Sequence, residues 1–333
     1  MVKNKTKKTI SFALVLVLAL SWTAFAQAPS RSLVDQAGRT VLLPKEVNRV
    51  VVTFPFQVPI IYALDMQDKL VGVDTRTPGY ESFKRLDPKL QTLPTVGVLG
   101  GSFNAEELLK LKPDVVLCGP QDVAQMEKLG LIAVATAPWE GKPEESILVT
   151  AKALNREQRG IELVADFNRI IGLAKSRVVG LQPTDRIRVY AVVGNPLTTY
   201  GGDQYFSSMV AMAGGINVAE SLKGSKVVVS KEQLLSWNPQ MMVVLAWGAE
   251  MSALKDIYAD AVLQGTDAVK NKKVYADAGW YSRWVHPDLT SCLGVLWMAK
   301  HMYPNQMADI DVKAVADEFD RKYFKKPYQG NTD

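Results

Sequence analysis

Four parts of this sequence combine arginine, aromatic and small polar residues just after apolar runs. They read DTRTPGYESF, GVLGGSFN, VVGNPLTTYGGDQY and, beyond the run MMVVLA, a tryptophan followed later by GWYSRW. Arginine can pair with a carboxylate or with an inorganic oxyanion, and aromatic rings supply contact area with little loss of entropy. The candidate ligand-binding residues are Arg76, Tyr80, Ser102, Phe103, Asn195, Tyr200, Tyr205, Trp247, Trp280, Tyr281 and Arg283.

Histidine usage argues against direct metal ligation. The chain has 2 histidines, His286 and His301, both near the C-terminus, whereas a zinc or manganese site needs three or four His, Asp or Glu ligands. Haem iron would find an oxygen ligand in Tyr80. We therefore expect no cofactor and no metal held directly by side chains, so that any metal arrives already chelated. His286, ahead of Pro287, is expected to cap or pack near the start of a helix.

A secreted hydrolase is a remote alternative. The sequence contains no G-x-S-x-G nucleophile elbow and no H-E-x-x-H motif. Ser282 lies near His286 in the sequence, but it lacks the strand–turn–helix context of a nucleophile. We expect a binding protein rather than an enzyme.

One phrase occurs twice, half a chain apart. NAEELLKLKPDVVL and SKEQLLSWNPQMMVVL each contain a glutamate, a Leu-Leu pair, a proline seven positions after the glutamate, and an apolar run. The glutamates are Glu106 and Glu232, 126 positions apart. Asn104 and Ser230 fit the N-caps of capping boxes, which places each glutamate in a first helical turn, where the helix dipole stabilises negative charge. The repeat predicts one helix–strand unit at matching places in two lobes.

Strand-like and helix-like runs alternate on both sides of a purely helical segment. Such alternation with short links predicts α/β lobes with mostly parallel sheets. The helical segment is bracketed by Pro143 and Pro183, and from Glu157 onward it has the period of one long helix. We predict a first α/β lobe at 27–143, a helical linker at 144–182 and a second α/β lobe at 183–333.

The N-terminus has the pattern of a secretory signal peptide. Four lysines precede an apolar run at 10–22, which Ala24-Phe25-Ala26 closes. The run is short for a membrane span, although an uncleaved anchor helix is the alternative. We expect cleavage near Ala26, at the end of segment 1–26, and no lipid anchor, because no cysteine follows the apolar run.

The charge balance excludes some classes of partner. Four of the 39 basic residues are lysines of the leader. The other 35 are nearly matched in number by the 34 acidic residues. A nearly neutral mature chain gives no reason to expect nucleic acid or an anionic membrane as a partner. We expect a periplasmic monomer.

Six stretches, in chain order, carry a family resemblance. They are VDQAGRTVLLPKEVNRVVV, DKLVGVD, NAEELLKLKPDVVL, YFSSMVAMAGGINVA, SKEQLLSWNPQMMVV and GWYSRWVHPD. The sequence thereby resembles the helix-backbone (class III) periplasmic substrate-binding proteins of ABC importers, which deliver ferric siderophores, haem or cobalamin. The resemblance implies two rigid lobes joined by a single long helix, a ligand cleft between them, and delivery to a permease dimer with its ATPase. It also implies that Glu106 and Glu232 dock onto arginines of the two permease subunits.

The resemblance implies a receptor for a metal chelate, first a ferric siderophore and then corrinoid or haem. Trp280 matches a tryptophan in the comparable motif of the cobalamin-binding member. The alternative ligand is a small oxyanion such as molybdate or tungstate. In that case polar side chains matter more than rings: Arg76, Ser102, Asn195 and Arg283. One long connecting helix predicts little lobe movement on binding.

Overall fold

The computed structural model describes residues 31–136, 143–245 and 250–333. The predicted signal peptide at 1–26 and the candidate ligand residue Trp247 lie outside these ranges. Within the ranges, every helix is too short or too polar to cross a bilayer.

The first lobe is built on a four-stranded parallel sheet that follows a β-hairpin. Its elements are β1 (Arg31–Val34), β2 (Thr40–Leu43), β3 (Val50–Val52), α1 (Gln57–Ala63), β4 (Leu70–Gly72), α2 (Glu81–Leu86), α3 (Ala105–Leu111), β5 (Val115–Cys118), α4 (Val123–Lys128) and β6 (Ala133–Ala135). The sheet order is β4-β3-β5-β6, and all neighbouring strands are parallel. Every residue of β3 and β5 is buried, which explains their unbroken apolar sequences.

Two helices connect the lobes, α5 (Pro143–Ala153) and α6 (Glu157–Val178). The longer one, α6, has 22 residues and is therefore about 33 Å long. It begins at the residue where the sequence period predicted it, and it ends before Gly180, which has a positive φ of 89°.

The second lobe repeats the plan of the first. Its elements are β7 (Arg188–Val193), β8 (Thr198–Thr199), α7 (Tyr205–Met212), β9 (Ile216–Asn217), β10 (Val227–Val228), α8 (Lys231–Trp237), β11 (Met241–Leu245), α9 (Glu250–Ala259), α10 (Asp267–Lys270), β12 (Val274–Ala276), α11 (Ser291–Met302) and α12 (Val312–Phe324). The main sheet has the order β12-β11-β7-β9 with parallel neighbours, and β8 pairs with β10 in a small antiparallel ribbon. The predicted fold class, two α/β lobes joined by one long helix, is confirmed.

The repeated phrase forms the same unit twice. The helices α3 and α8 have seven residues each, and a parallel strand of the central sheet follows each one. Asn104 Oδ1 accepts the N–H of Glu107 at 3.0 Å, and Ser230 Oγ accepts the N–H of Gln233 at 3.1 Å. Each helix also ends in a left-handed residue immediately before proline. Glu106 lies exposed in the first turn of its helix, and Glu232 does the same in the other lobe.

The capping box of α3 is only half formed, so this detail of the prediction is wrong. The N–H of Asn104 donates to the carbonyl oxygen of Val96 at 2.9 Å. The carboxylate of Glu107 instead lies 3.5 Å from Lys110 Nζ. The preceding chain already supplies an acceptor, so the reciprocal hydrogen bond is not needed.

The core is continuous across the two lobes. One cluster of buried apolar side chains includes Val50 of the first sheet, Phe167 of α6 and Met241 of the second sheet. Two smaller clusters cover the other faces of the sheets. Cys118 and Cys292, for which the sequence allows either a disulfide or two free thiols, are both free and buried.

Helix α12 connects the second lobe back to the first. It packs against α1 of the first lobe and against α11 of the second. Its Tyr323 hydroxyl donates to Asp166 of α6 at 2.8 Å, and Arg159 of α6 donates to the Lys322 carbonyl at 2.7 Å. The lobes are therefore held together by α6 and α12 at once.

Candidate ligand-binding site

The loop between β12 and α11 presents Arg283 to the gap between the lobes. Asp277 fixes the path of this loop, because its carboxylate accepts the N–H groups of Gly279 at 2.9 Å and Trp284 at 3.0 Å. The turn is so tight that a Cβ on Gly279 would lie 2.0 Å from the carbonyl oxygen of Ser282. Glycine at 279 and aspartate at 277 are thus the local reason for the position of Arg283.

The loop is longer than the sequence suggested, because α11 begins at Ser291 and not near His286. Pro287 disfavours the helical conformation at the residue before it. The side chain of Asp288 then accepts the N–H of Thr290 at 2.8 Å, which is an Asx turn. Residues 286–290 consequently belong to the loop rather than to α11, and His286 packs five residues ahead of the helix.

Two cavities lie between the lobes and share the ring of Phe56. That ring stacks on His286 across the gap, with centroids 5.3 Å apart. The arginine cavity encloses about 10 Å³ and is lined by Phe56, Tyr80, Ser82, Ser282, Arg283 and Asp288. The histidine cavity encloses about 160 Å³ and is lined by Phe56, Tyr200, Gln204, Tyr205, Phe206 and His286.

Arg283 gives both cavities a positive field. Its guanidinium carbon lies 5.7 Å from the ring centre of Tyr80. Burial raises the pKa values of Tyr80 and Tyr200, and the charge of Arg283 opposes that rise at both. Burial, aided by Arg283, lowers the pKa of His286 to about 3, so this imidazole is neutral near pH 7. A cation flanked by hydroxyls from opposite lobes can bind an anion.

Arg76 also lies beside Tyr80, but its side chain is already engaged. Its Nε and Nη2 donate to the two carboxylate oxygens of Asp74, each at 2.9 Å. Asp74 is fully buried, and this pairing raises the pKa of Arg76. A ligand would have to compete with Asp74 for this guanidinium.

Three predicted ligand residues of the polar loops lie away from the two cavities. Ser102 is exposed, and Phe103 packs into the core behind the first sheet. Asn195 is exposed, and its Oδ1 accepts the N–H of Leu197 at 3.1 Å within a turn. Their roles as ligand contacts stay predictions.

The two aromatic residues that precede Ser282 make contacts between elements. The guanidinium carbon of Arg85 lies 4.2 Å from the ring centre of Trp280, and its Nε donates to the Trp280 carbonyl at 3.2 Å. This pair bridges the lobes. Tyr281 is buried, and its hydroxyl donates to the Pro327 carbonyl at 3.0 Å. Tyr200 and Tyr205, by contrast, both line the histidine cavity.

Several residues that line the arginine cavity are not among the ligand residues that the sequence predicts, and they include Phe56, Ser82, Ser282 and Asp288. Phe56 precedes α1 in a stretch that reads as ordinary core, and Ser282 was weighed only as a nucleophile. Asp288 lies where the sequence predicts the start of a helix, although Asp-Leu-Thr after proline is a sequence signal for an Asx turn. Among the described residues, no group of three or more His, Cys, Asp or Glu could hold a metal ion.

Comparisons with known proteins agree on the family. A family model described as periplasmic binding protein matches residues 50–279. The molybdate-binding protein MolA of Haemophilus influenzae is 29% identical over 95% of this chain and 97% of its own length. The iron-uptake system-binding protein of Bacillus subtilis is 21% identical over 81% of this chain and 91% of its own.

One solved structure extends the likeness to three dimensions. The structure of MolA bound to molybdate superposes with a TM-score of 0.81 at 27% identity. The superposition covers 90% of this chain and 100% of that one. The shared fold includes both lobes and the connecting helix.

Proposed function

This chain belongs to the periplasmic binding protein family, whose members work with ABC importers, and on that premise we propose that it captures a small oxyanion of the molybdate type. The observation that carries the proposal is the position of Arg283 in a cavity between the lobes, with its guanidinium carbon 5.7 Å from the ring centre of Tyr80 of the first lobe. A guanidinium can donate charge-assisted hydrogen bonds to an oxyanion, and the hydroxyl-bearing residues Tyr80 and Ser282 line the same cavity. Binding an anion in this way does not require the cluster of carboxylates that a bare cation would need.

The size of the enclosed space supports a small ligand. Pockets for drug-sized molecules enclose roughly 300–1,000 Å³. The arginine and histidine cavities enclose about 10 and 160 Å³. A tetrahedral oxyanion is much closer in size to these cavities than a siderophore or a corrinoid is.

The relatives favour the same ligand. The molybdate-binding relative is more similar to this chain, and over more of its length, than the iron-uptake relative. A metal chelate, which the aromatic loops first suggested, is the second candidate. It is supported by the iron-uptake relative and by the partly exposed ring of Trp280.

Calorimetric titration of the mature chain tests the proposal. The panel is molybdate, tungstate, sulfate, ferric hydroxamate and catecholate chelates, haem and cobalamin. Binding of molybdate or tungstate should weaken at least about tenfold in Arg283→Gln, because hydrogen bonds to charged groups contribute roughly 1.5–3 kcal/mol. The control is Arg156→Gln, an exposed arginine that donates to the neighbouring Asn155 carbonyl. Binding of a chelate alone, unaffected by Arg283→Gln, would replace the oxyanion with the second candidate.

Delivery completes the proposed role. Glu106 and Glu232, exposed on the matching helices α3 and α8, are proposed to dock on the two subunits of a permease. The backbone N–H of Glu232 and, to a smaller extent, the Ser230 hydroxyl lower the pKa of the Glu232 carboxyl, which favours its charged form. The basic and apolar segment at 1–26 supports export, cleavage near Ala26 and action outside the cytoplasmic membrane.

A further inference from the structure

A buried carboxyl group shares the arginine cavity with the cation of the site. Asp288 has no exposed surface, and it lines this cavity together with Arg283. An ionised carboxylate at this place would repel an oxyanion bound at Arg283, strongly so in a buried environment. The ionised form of Asp288 and a bound oxyanion therefore oppose each other.

The hydrogen bonds of Asp288 suit either protonation state. Ser282 Oγ lies 2.5 Å from Asp288 Oδ2, and Ser282 also lines the arginine cavity. Thr290 Oγ1 lies 2.8 Å from Asp288 Oδ1 and 3.2 Å from the Arg283 carbonyl oxygen. Both hydroxyls donate to an ionised carboxylate. When the carboxyl is protonated, it can donate to Ser282 Oγ, and the serine hydrogen can turn toward the cavity.

The surroundings place the proton exchange near neutral pH. Burial raises the pKa of Asp288 to about 7, and the negative charge of Asp277 adds to this rise. Tyrosine and cysteine neighbours are neutral because burial raises their pKa values, and His286 is neutral because burial lowers its own. The titratable groups around Asp288 are Tyr80, Tyr205, Asp277, Arg283, His286 and Cys292.

We infer that the cleft captures its oxyanion together with one proton, which Asp288 takes up from solvent. This inference rests on the proposed oxyanion function. The proton binds Asp288 Oδ2, the new O–H donates to Ser282 Oγ, and the Ser282 hydroxyl donates to the anion. No bond of the ligand is made or broken. The arginine cavity thereby loses one negative charge and gains one hydrogen-bond donor.

Proton uptake can be measured directly with molybdate. Calorimetric titrations at pH 8 in Tris and in HEPES, whose ionisation enthalpies differ, give the number of protons taken up on binding. We expect about one proton per molybdate, and a Kd that weakens about tenfold for each pH unit above pH 7. Molybdate itself stays a dianion throughout this range.

Two matched variants assign the proton to Asp288. In Asp288→Asn the amide donates to Ser282 Oγ at every pH, so binding should lose its pH dependence and its proton uptake. Asp320→Asn is the control: burial raises the pKa of Asp320 to about 8, but this residue lies on α12, outside both cavities. Its proton uptake on molybdate binding should equal that of the wild type.

Each outcome is decisive. Molybdate heats that are the same in both buffers overturn the proton coupling and leave the oxyanion function standing. A pH slope that survives in Asp288→Asn overturns the assignment to Asp288. The absence of molybdate binding to the wild type overturns the oxyanion function, and this inference with it. If circular dichroism shows that Asp288→Asn is unfolded, the comparison of the two buffers on the wild type still decides.

Discussion

At the scale of single residues, the position of Arg283 depends on the contacts that hold the loop between β12 and α11. Arg283 reaches the gap between the lobes because Asp277 accepts the N–H groups of Gly279 and Trp284, which lie on either side of Arg283 in the loop. Gly294 of α11 lets the helix approach this loop, since a Cβ there would lie 2.1 Å from the Trp284 carbonyl oxygen. Asp277 and Gly294 line neither cavity, but they determine where the guanidinium of Arg283 lies.

The glycine of the turn gives a direct test. In Gly279→Ala the new Cβ would overlap the Ser282 carbonyl oxygen, so we expect a loss of about 1–3 kcal/mol in the free energy of unfolding and weaker oxyanion binding. Gly172→Ala is the control, because that position is exposed on α6 with no atom near the new Cβ. It should raise stability by roughly 0.5–1 kcal/mol. Urea unfolding of both variants measures the two effects, and equal stabilities would contradict the strained turn.

Sequence reasoning found some of these residues and missed others for a physical reason. Tyr80, Tyr200 and Arg283 stand out because aromatic and charged residues in glycine-rich loops are unusual as core. Phe56 and Asp288 do not stand out, since a phenylalanine after a strand and an aspartate before a helix have ordinary structural roles. Phe56 and Asp288 line the same cavity because of the way the two lobes pack, and a local sequence pattern contains no information about that packing.

At the scale of elements, the clearest feature is the duplicated unit of α3 with β5 and α8 with β11. Its N-cap residues and its helix–strand order could be predicted from the two phrases, although the capping box of α3 is only half formed. The start of α11 could not, because the Asx turn of Asp288 competes with helix formation. Capping rules therefore predict a helix start well when no second motif, such as an Asx turn, competes with it.

The proposed docking through α3 and α8 predicts that substitutions of their exposed glutamates impair delivery to the importer without affecting ligand binding. Glu106→Ala and Glu232→Ala should bind ligand like the wild type, because both carboxylates are exposed and far along the sequence from Arg283. Each should reduce stimulation of the importer's ATPase in proteoliposomes, and the double variant should abolish it. Glu107→Ala, whose carboxylate pairs with Lys110 on the same helix, is the control. Full stimulation by the double variant would exclude docking through these helices.

Helix α12 carries a pH dependence of stability. Burial raises the pKa of Asp320 to about 8, whereas an aspartate in the unfolded chain has a pKa of about 3.9. Between these values the native state keeps a proton that the unfolded state has lost, so stability falls as pH rises from about 4 to about 8, by up to about 1.4 kcal/mol per unit. Asp320→Asn should remove this part of the slope in urea unfolding between pH 5 and 8. The exposed Asp256→Asn should keep it, and parallel profiles for wild type and Asp320→Asn would refute the assignment.

At the scale of the whole molecule, the lobes behave as one body. They share a continuous core, a helix of 22 residues and the packing of α12 against α1. The alternation of strands and helices around one long helical segment was enough to predict this architecture. The added role of α12 was not predictable, because an amphipathic terminal helix gives no sign of which lobe it will cover.

This rigidity predicts a small response to ligand. The radius of gyration should change by less than about 1 Å when molybdate binds, as for other pre-organised binding proteins. Small-angle scattering of the free and saturated protein measures it. A clear compaction would mean that α6 bends or that α12 leaves the first lobe.

A receptor braced by two helices has a consequence for transport kinetics. Because α6 and α12 hold the lobes together, the docking proposed for Glu106 and Glu232 predicts that the empty protein presents the same pair of glutamates to the permease as the loaded one. We then expect empty copies to compete with loaded copies for the transporter, so that uptake follows the loaded fraction of the protein rather than its total amount. Surplus receptor in a medium poor in ligand should slow import.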